Sequence, residues 1–435
     1  MDSTVRAEWD TLKEVVIHRP GIEMFFALMA PFSFLYERAF SMDEAIYEHT
    51  ALEHALSSAG VRVHRLKRLS INLAKENAGL LKRAREYAVE IVKFSGPSDD
   101  AAKARREFKK SLTDLDAETI FNILLLRPSV ALEEKKGVRV VLPRVTLDVP
   151  LANLYFMRDQ QAVSDRGVVV GRMSKPQRQM EPRITGAILE MAGAKIAYHV
   201  RHPGTFEGGD FMPAGEFAML GLGDRTNRSG VNQILANGVG FDEVAVVHQA
   251  AHPLIPGDHP DPMINMHLDT YLNMAGRDIA VGCVPLLKRA KVEVYKRSSK
   301  GGYRRQSGNP NIHDYMVSRG FTVVPITTLE QMCYASNFLC LSDRKIMAVE
   351  VENVVEKVLK NLEYQAKLAP HRYSALFQEA KKEHAQLRES GQFFPHKKEF
   401  NDLGVEAIAL QLQEITGGYG GAHCMTCVLN RNAKD

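Results

Sequence analysis

Residues 167–200 read GVVVGRMSKPQRQMEPRITGAILEMAGAKIAYHV. The stretch opens on a short β-branched run (167–173), passes through a segment of helical spacing from Glu181 to Ala192, and closes on a second β-rich run (194–200). Strand, helix and strand within so few residues is the signature of an α/β unit. Outward from it the theme recurs. VRVVLP (138–143) precedes it, and FAMLGL (217–222), EVAVVHQ (243–249), IAVGCV (279–284), FTVVPI (321–326), KIMAVE (345–350) and EAIALQL (406–412) follow. Helical segments lie between many of these runs, among them Asn353 to Leu368. No overt sequence repeat accompanies the pattern. An open doubly wound sheet and a propeller-like ring of small α/β units fit it equally.

Toward the N-terminus, LKEVVIHR (12–19) predicts a buried strand closed by the Pro20-Gly21 turn signal. Ala45, Ile46, His49, Leu52 and Leu56 recur at three- and four-residue steps, predicting a helix near Met42 to Ala59 with Gly60 just beyond its end. VRVHRL (61–66) predicts a second strand. Between about Ser70 and Leu126 the spacing is helical and β-branched runs all but vanish, interrupted only by Ser95-Gly-Pro-Ser98. Residues 70–126 therefore read as a helical insertion domain, flanked by an α/β domain of residues 1–69 and 127–435.

With 435 residues, 45% hydrophobic and 25% charged, the chain has the balance of a soluble globular protein. A net charge of +4 spread along the chain argues against nucleic-acid binding. The local runs Lys103 to Lys110 and Lys296 to Arg305 read as solvated surface. No stretch approaches the ~18 apolar residues of a membrane helix, and the opening MDSTVRAEWD lacks the order of a secretion signal. Five cysteines do not make a disulfide framework, and a reducing cytoplasm is expected.

Four short segments carry candidate chemistry: Asn153-Leu-Tyr-Phe-Met-Arg-Asp159, Phe206-Glu-Gly-Gly-Asp210, His267-Leu-Asp-Thr270, and Gly417-Gly-Tyr-Gly-Gly-Ala-His-Cys-Met-Thr426. Singly, each reads as a turn or an ordinary strand alternation. Together they supply a nucleophile, acids and a proton carrier. Cys424 attacks only as thiolate, which needs nearby positive charge, and a cationic guanidinium substrate brings that charge with it. Such a substrate calls for planar carboxylate partners, for which Asp159 and Asp269 are candidates. His267 is the candidate proton carrier for a leaving ammonia, oriented by Glu207. On a strand, His267 and Asp269 would face the same way. The glycines of 417–421 allow close backbone approach to a substrate. Cys424 and Cys427 also form a Cys-x-x-Cys pair, the mark of a redox couple or half a zinc site, but no second such pair exists.

These four segments, in this order and spacing, resemble the arginine deiminase family of the guanidino-modifying (pentein) superfamily, over nearly the whole chain. The resemblance implies a five-bladed ββαβ propeller with an inserted α-helical domain. It implies hydrolysis of L-arginine to citrulline and ammonia through a covalent Cys424 thiouronium, with no metal and no organic cofactor. Asp159 and Asp269 would grip the guanidinium, and Glu207 and His267 would move protons. Asn153, Arg178 and Arg225 would hold the amino-acid end, Phe156 would stack near the guanidinium, and Leu35 would line the entrance. A homo-oligomer acting on a small molecule, with no membrane or nucleic-acid partner, is implied as well. Many members carry an arginine five residues before the cysteine, where this chain has Tyr419. That change bears on the contact to the substrate's carboxylate end. His423 and Thr426 are expected to shape the loop. An arginine dihydrolase or an amidinotransferase shares the same attacking core, and a silent arginine-binding protein shares its pocket.

Overall fold

A computed structural model of the chain describes residues 1–134, 141–261, 264–299 and 301–432. The stretch that opened the sequence analysis forms one complete unit. Gln161–Ser164 and Gly167–Val170 pair antiparallel, and Ile196–His199 adds in parallel on the far side of the second strand. The helix Glu181–Met191 connects them. The local causes are readable: Pro182 stands in the helix's first turn, Gly193 (φ +84°) follows its end, and Ile184, Ile188 and Leu189 are buried. Each of those side chains contributes about 1.5–3 kcal/mol by leaving water. Gly167 (φ +115°) admits no side chain, because a Cβ there would sit 2.3 Å from the Lys195 carbonyl oxygen.

Among the described residues the ββαβ unit occurs five times, and the ring reading prevails over the open sheet. The third blade is Phe211–Ala214, Phe217–Leu222 and Glu243–His248; the fourth is Leu272–Gly276, Ile279–Cys283 and Thr322–Ile326; the fifth is Leu339–Ser342, Lys345–Val349 and Glu406–Leu410. The first blade is assembled from both parts of the chain: Thr11–Ile17 pairs in parallel with Arg62–Arg65 and antiparallel with Cys427–Asn432. The connection of the fourth blade detours to add Val292–Arg297 and Tyr303–Arg305 to the edge of the third. The run Lys296 to Arg305, read from the sequence as solvated surface, is mostly exposed among its described residues. No described helix is long and apolar enough to cross a membrane.

Between the first two blades lie the helices Leu66–Glu76, Ala78–Ile91, Ser98–Ser111 and Ala117–Leu126. The expected boundary at residue 126 does not match the strand pairing. Lys93–Ser95, Pro128–Glu134 and Val141–Leu147 form a separate sheet, so the strands after 126 pair with the inserted segment rather than with a blade. The β-rich run at 138–143 belongs to this sheet from Val141 onward, and its residues 138–140 lie outside the described residues.

Candidate active site

In every blade the first strand of the hairpin is preceded by a short segment that turns toward the propeller axis, and the five segments join in a closed ring. The Gly208 amide donates to the Asp159 carbonyl (2.9 Å), and the Leu268 amide to Asp210 Oδ1 (3.1 Å). Asn337 Nδ2 donates to the Asp269 carbonyl (3.3 Å), the His423 amide to the Asn337 carbonyl (3.0 Å), and the Arg158 amide to the Cys424 carbonyl (2.9 Å). Four of these segments are the ones singled out in the sequence. The fifth, Ala335-Ser-Asn337, carries no residue type that marks it in the sequence.

The ring brings Cys424, His267, Glu207, Asp159 and Asp269 together, all buried. His267 and Asp269 are not on a strand as expected. His267 precedes a 3₁₀ turn, Leu268–Thr270, that leads into the strand Leu272–Gly276. Both still face the centre, because Gly209 leaves room: a Cβ on it would lie 2.8 Å from His267 Nδ1 and 3.1 Å from Asp269 Oδ1. His267 Nε2 meets Glu207 Oε2 at 2.9 Å, and its Nδ1 lies 3.7 Å from Asp159 Oδ1. Burial works against charge on this imidazole, but Asp159, Glu207 and Asp210 outweigh it and carry the pKa up to about 9. Burial likewise works against Glu207, yet Arg225 and His267 hold its carboxyl down at about 2.

Cys424 Sγ lies 3.5 Å from Asp269 Oδ2 and 3.1 Å from Asn337 Nδ2. Burial pushes the thiol well above its usual pKa, and Asp269 and Asp159 push it further. Asp269 Oδ2 also meets His423 Nδ1 at 2.8 Å, and His423 Nε2 faces Glu8 Oε1 at 3.6 Å. His423 therefore bonds one of the candidate guanidinium clamps as well as shaping the loop. Burial opposes the ionised form of Asp269, but His423 holds its carboxyl below the usual range.

Asp159 and Asp269 each keep one oxygen unspent. Asp159 Oδ2 is held by Arg178 Nη1 at 2.6 Å and Asp269 Oδ2 by His423, while Oδ1 of each is buried with no hydrogen-bond partner among the described residues. Two buried carboxylate oxygens left open beside a thiol ask for a ligand rich in N–H donors. On the other side, Arg225 is buried 3.8 Å from Glu207, and its Nε and Nη1 likewise lack hydrogen-bond partners among the described residues. Asp159, Glu207 and His267 also bring metal-ligand atoms within 4.8 Å of one another. Arg178 on Asp159 and Arg225 near Glu207 already supply those carboxylates with positive charge.

The remaining expected residues sit around this centre. Arg178 is largely engaged by protein carboxylates, with Nε and Nη2 on Glu181 as well as Nη1 on Asp159, so it fixes the orientation of the Asp159 carboxylate. Asn153 Nδ2 donates to the Phe34 carbonyl at 2.7 Å, fixing the segment that carries Leu35. Leu35 itself is half-buried in the left-handed region (φ +64°). The Phe156 ring lies under the glycine loop: a Cβ on Gly420 would come within 2.6 Å of its Cε1 and 2.8 Å of Cys424 Cβ. Tyr419 adopts φ +76°, and burial, then the charge of Glu37, raises its phenol well above the usual value.

A five-bladed ring of ββαβ units closed around an axial centre is the pentein class of α/β fold. The chain belongs to the arginine deiminase family, whose model matches residues 32–431. It is 25% identical to the arginine deiminase of Halobacterium salinarum over 98% of this chain and 96% of that one. It is 24% identical to the arginine deiminase of Mycolicibacterium gilvum over 98% and 97%. Among solved structures, the N-terminal domain of ArgZ, an arginine dihydrolase from the ornithine–ammonia cycle in cyanobacteria, matches 96% of this chain and 98% of that one. Its TM-score is 0.52 at 12% identity, a likeness of fold.

Proposed function

We propose that the protein is an arginine deiminase that hydrolyses L-arginine to L-citrulline and ammonia through a covalent intermediate on Cys424. The observation that carries the reading is the pair of open Oδ1 atoms on Asp159 and Asp269, buried beside the thiol. In this reading the guanidinium lies between them, with Cζ toward Sγ, and Arg225 takes the substrate carboxylate with Asn153 and Arg178 alongside. Phe156 floors the guanidinium site, and Leu35 and Tyr419 belong to its rim.

The chemistry then follows from charge. A buried thiol flanked by two carboxylates ionises poorly alone; the incoming guanidinium cation compensates the thiolate charge, so the thiol proton is released to solvent as substrate binds. The Sγ electron pair forms a bond to Cζ, and His267, protonated at neutral pH, gives its proton to the departing nitrogen. Ammonia leaves and an S-alkylthiouronium remains. Water then adds to Cζ, giving one proton back to His267; as the C–S bond breaks, the remaining hydroxyl proton passes to solvent, where it joins the departed ammonia, releasing citrulline and restoring the thiolate. All five cysteines are free and buried, in keeping with a cytoplasmic enzyme. We further propose a homo-oligomer, which size-exclusion chromatography tests.

The deciding experiment incubates purified protein with arginine and separates citrulline, ornithine and ammonia. Citrulline and ammonia in equal amounts are expected from the wild type, and none from Cys424→Ala. Ammonia release by the alanine variant would remove the nucleophile assignment, and ornithine as product would replace deiminase by dihydrolase.

A further inference from the structure

We propose that Asn337, from the turn that opens the fifth blade, is a catalytic residue that stabilises the Cys424 thiolate through its side-chain amide. The inference rests on Cys424 being the nucleophile and adds the group that favours its sulfur's anionic form against the burial and carboxylates that oppose it.

The orientation of the amide is not a free choice. Two backbone N–H groups, those of Gly421 (2.8 Å) and Cys424 (3.0 Å), converge on one terminal atom of Asn337. Both are donors, so that atom is the oxygen, and the NH₂ group must face the other way. There it meets Cys424 Sγ at 3.1 Å and the Asp269 carbonyl oxygen at 3.3 Å, one acceptor for each hydrogen. The residue is itself immobilised: its amide donates to the Tyr334 carbonyl (3.0 Å), and its carbonyl receives the His423 amide (3.0 Å). Gly421 makes the approach possible, since a Cβ there would lie 2.8 Å from the Asn337 carbonyl oxygen.

Every other influence around the sulfur opposes its charge. It is buried, with Asp269 Oδ2 at 3.5 Å and the Asp159 charge nearby. Asn337 is the one described side chain that donates a hydrogen bond to Sγ. A hydrogen bond to an anion is roughly twice as strong as one to a neutral group. The amide therefore favours thiolate over thiol, and it slackens once sulfur carries the Cζ bond. Asn337 transfers no proton and carries no net charge, so it cannot lock the guanidinium in place as a third carboxylate would.

The test reads thiol acidity directly. Cys424 alkylation by neutral iodoacetamide, in which sulfur displaces iodide, is followed by peptide mass spectrometry across pH in the absence of substrate. Asn337→Asp keeps an oxygen for the Gly421 and Cys424 amides but turns a second oxygen toward sulfur. The alkylation midpoint should rise by roughly one pH unit or more; the buried charge also lowers the melting temperature, so the midpoint is read at a temperature where the variant is folded. kcat/KM at neutral pH should fall by about tenfold or more. Asn337→Ala, which introduces no charge, should move the midpoint in the same direction and decides the matter should the aspartate variant fail to fold. An unchanged midpoint in the folded variants would overturn the proposal and leave Asn337 a loop anchor only. Alkylation reports acidity whatever the enzyme turns over, so this outcome is separable from the product assay on Cys424→Ala.

Discussion

His267 Nε2 and Glu207 Oε2 meet at 2.9 Å in the buried centre of the ring, and in the proposed function this pairing sets the alkaline limit of catalysis. With His267 raised to about 9, the acid form is present throughout the neutral range and is lost above it. Glu207→Gln removes one of the charges that raise it. The alkaline limb of the kcat/KM profile should then move down from about 9 toward the usual histidine range, with kcat reduced by about 10²-fold. A limb that stays in place would show that another group controls it. At this scale most of the centre is legible in the sequence, because Cys, His, Asp and Glu announce chemistry by type and the four segments carry them at recognisable spacing. Asn337 announces nothing: a neutral amide in Ala-Ser-Asn-Phe looks like any turn, and only the three-dimensional ring places it against sulfur. His423 was undervalued for a similar reason, since its bond to Asp269 joins residues 154 positions apart.

The elements impose their own constraint through the glycine loop. Gly420 has an ordinary backbone conformation, so only space forbids a side chain there. A Cβ would press on the Phe156 ring at 2.6 Å and on Cys424 Cβ at 2.8 Å, and both are hemmed in by buried neighbours. Gly420→Ala is expected to cost about 1–3 kcal/mol of stability. Activity should fall at least tenfold, measured by thermal unfolding and citrulline formation, because the displaced atom adjoins the nucleophile. Wild-type values in both would mean that the loop yields more easily than its packing indicates. Element by element, the β-rich runs and helices are visible as alternating periods. The small sheet beside the inserted helices is not, because its strands are adjacent to blade strands in sequence and only the pairing with Lys93–Ser95 separates them. The placing of His267 and Asp269 on a strand failed because strand alternation and a 3₁₀ turn both allow two such residues to face one point.

For the whole molecule, buried histidines set a stability window. His49 and His252 are held neutral, burial depressing them to about 3 and about 4, below their unfolded value of about 6.5. Their contribution is therefore present above that value and is lost as pH falls through the folded values. His267 behaves oppositely: raised to about 9, it contributes fully below its unfolded value and loses that contribution as pH rises through 9. Urea midpoints measured against pH should accordingly fall away on both sides of neutrality. His49 has no hydrogen-bond partner on either ring nitrogen among the described residues, so His49→Leu should flatten the acid side. An acid side as steep as wild type would mean that carboxylates dominate it.

The first blade's pairing of Thr11–Ile17 with Cys427–Asn432 also has a consequence in time. In chain order Cys424 comes after every other residue of the centre, and it stands immediately before the strand that closes the circle. A ribosome therefore delivers the clamps and the proton carrier first and the nucleophile last. A chain ending before Cys424 would lack both the closing strand and the proposed nucleophile, so on the proposed reading reactivity and closure of the ring arrive together.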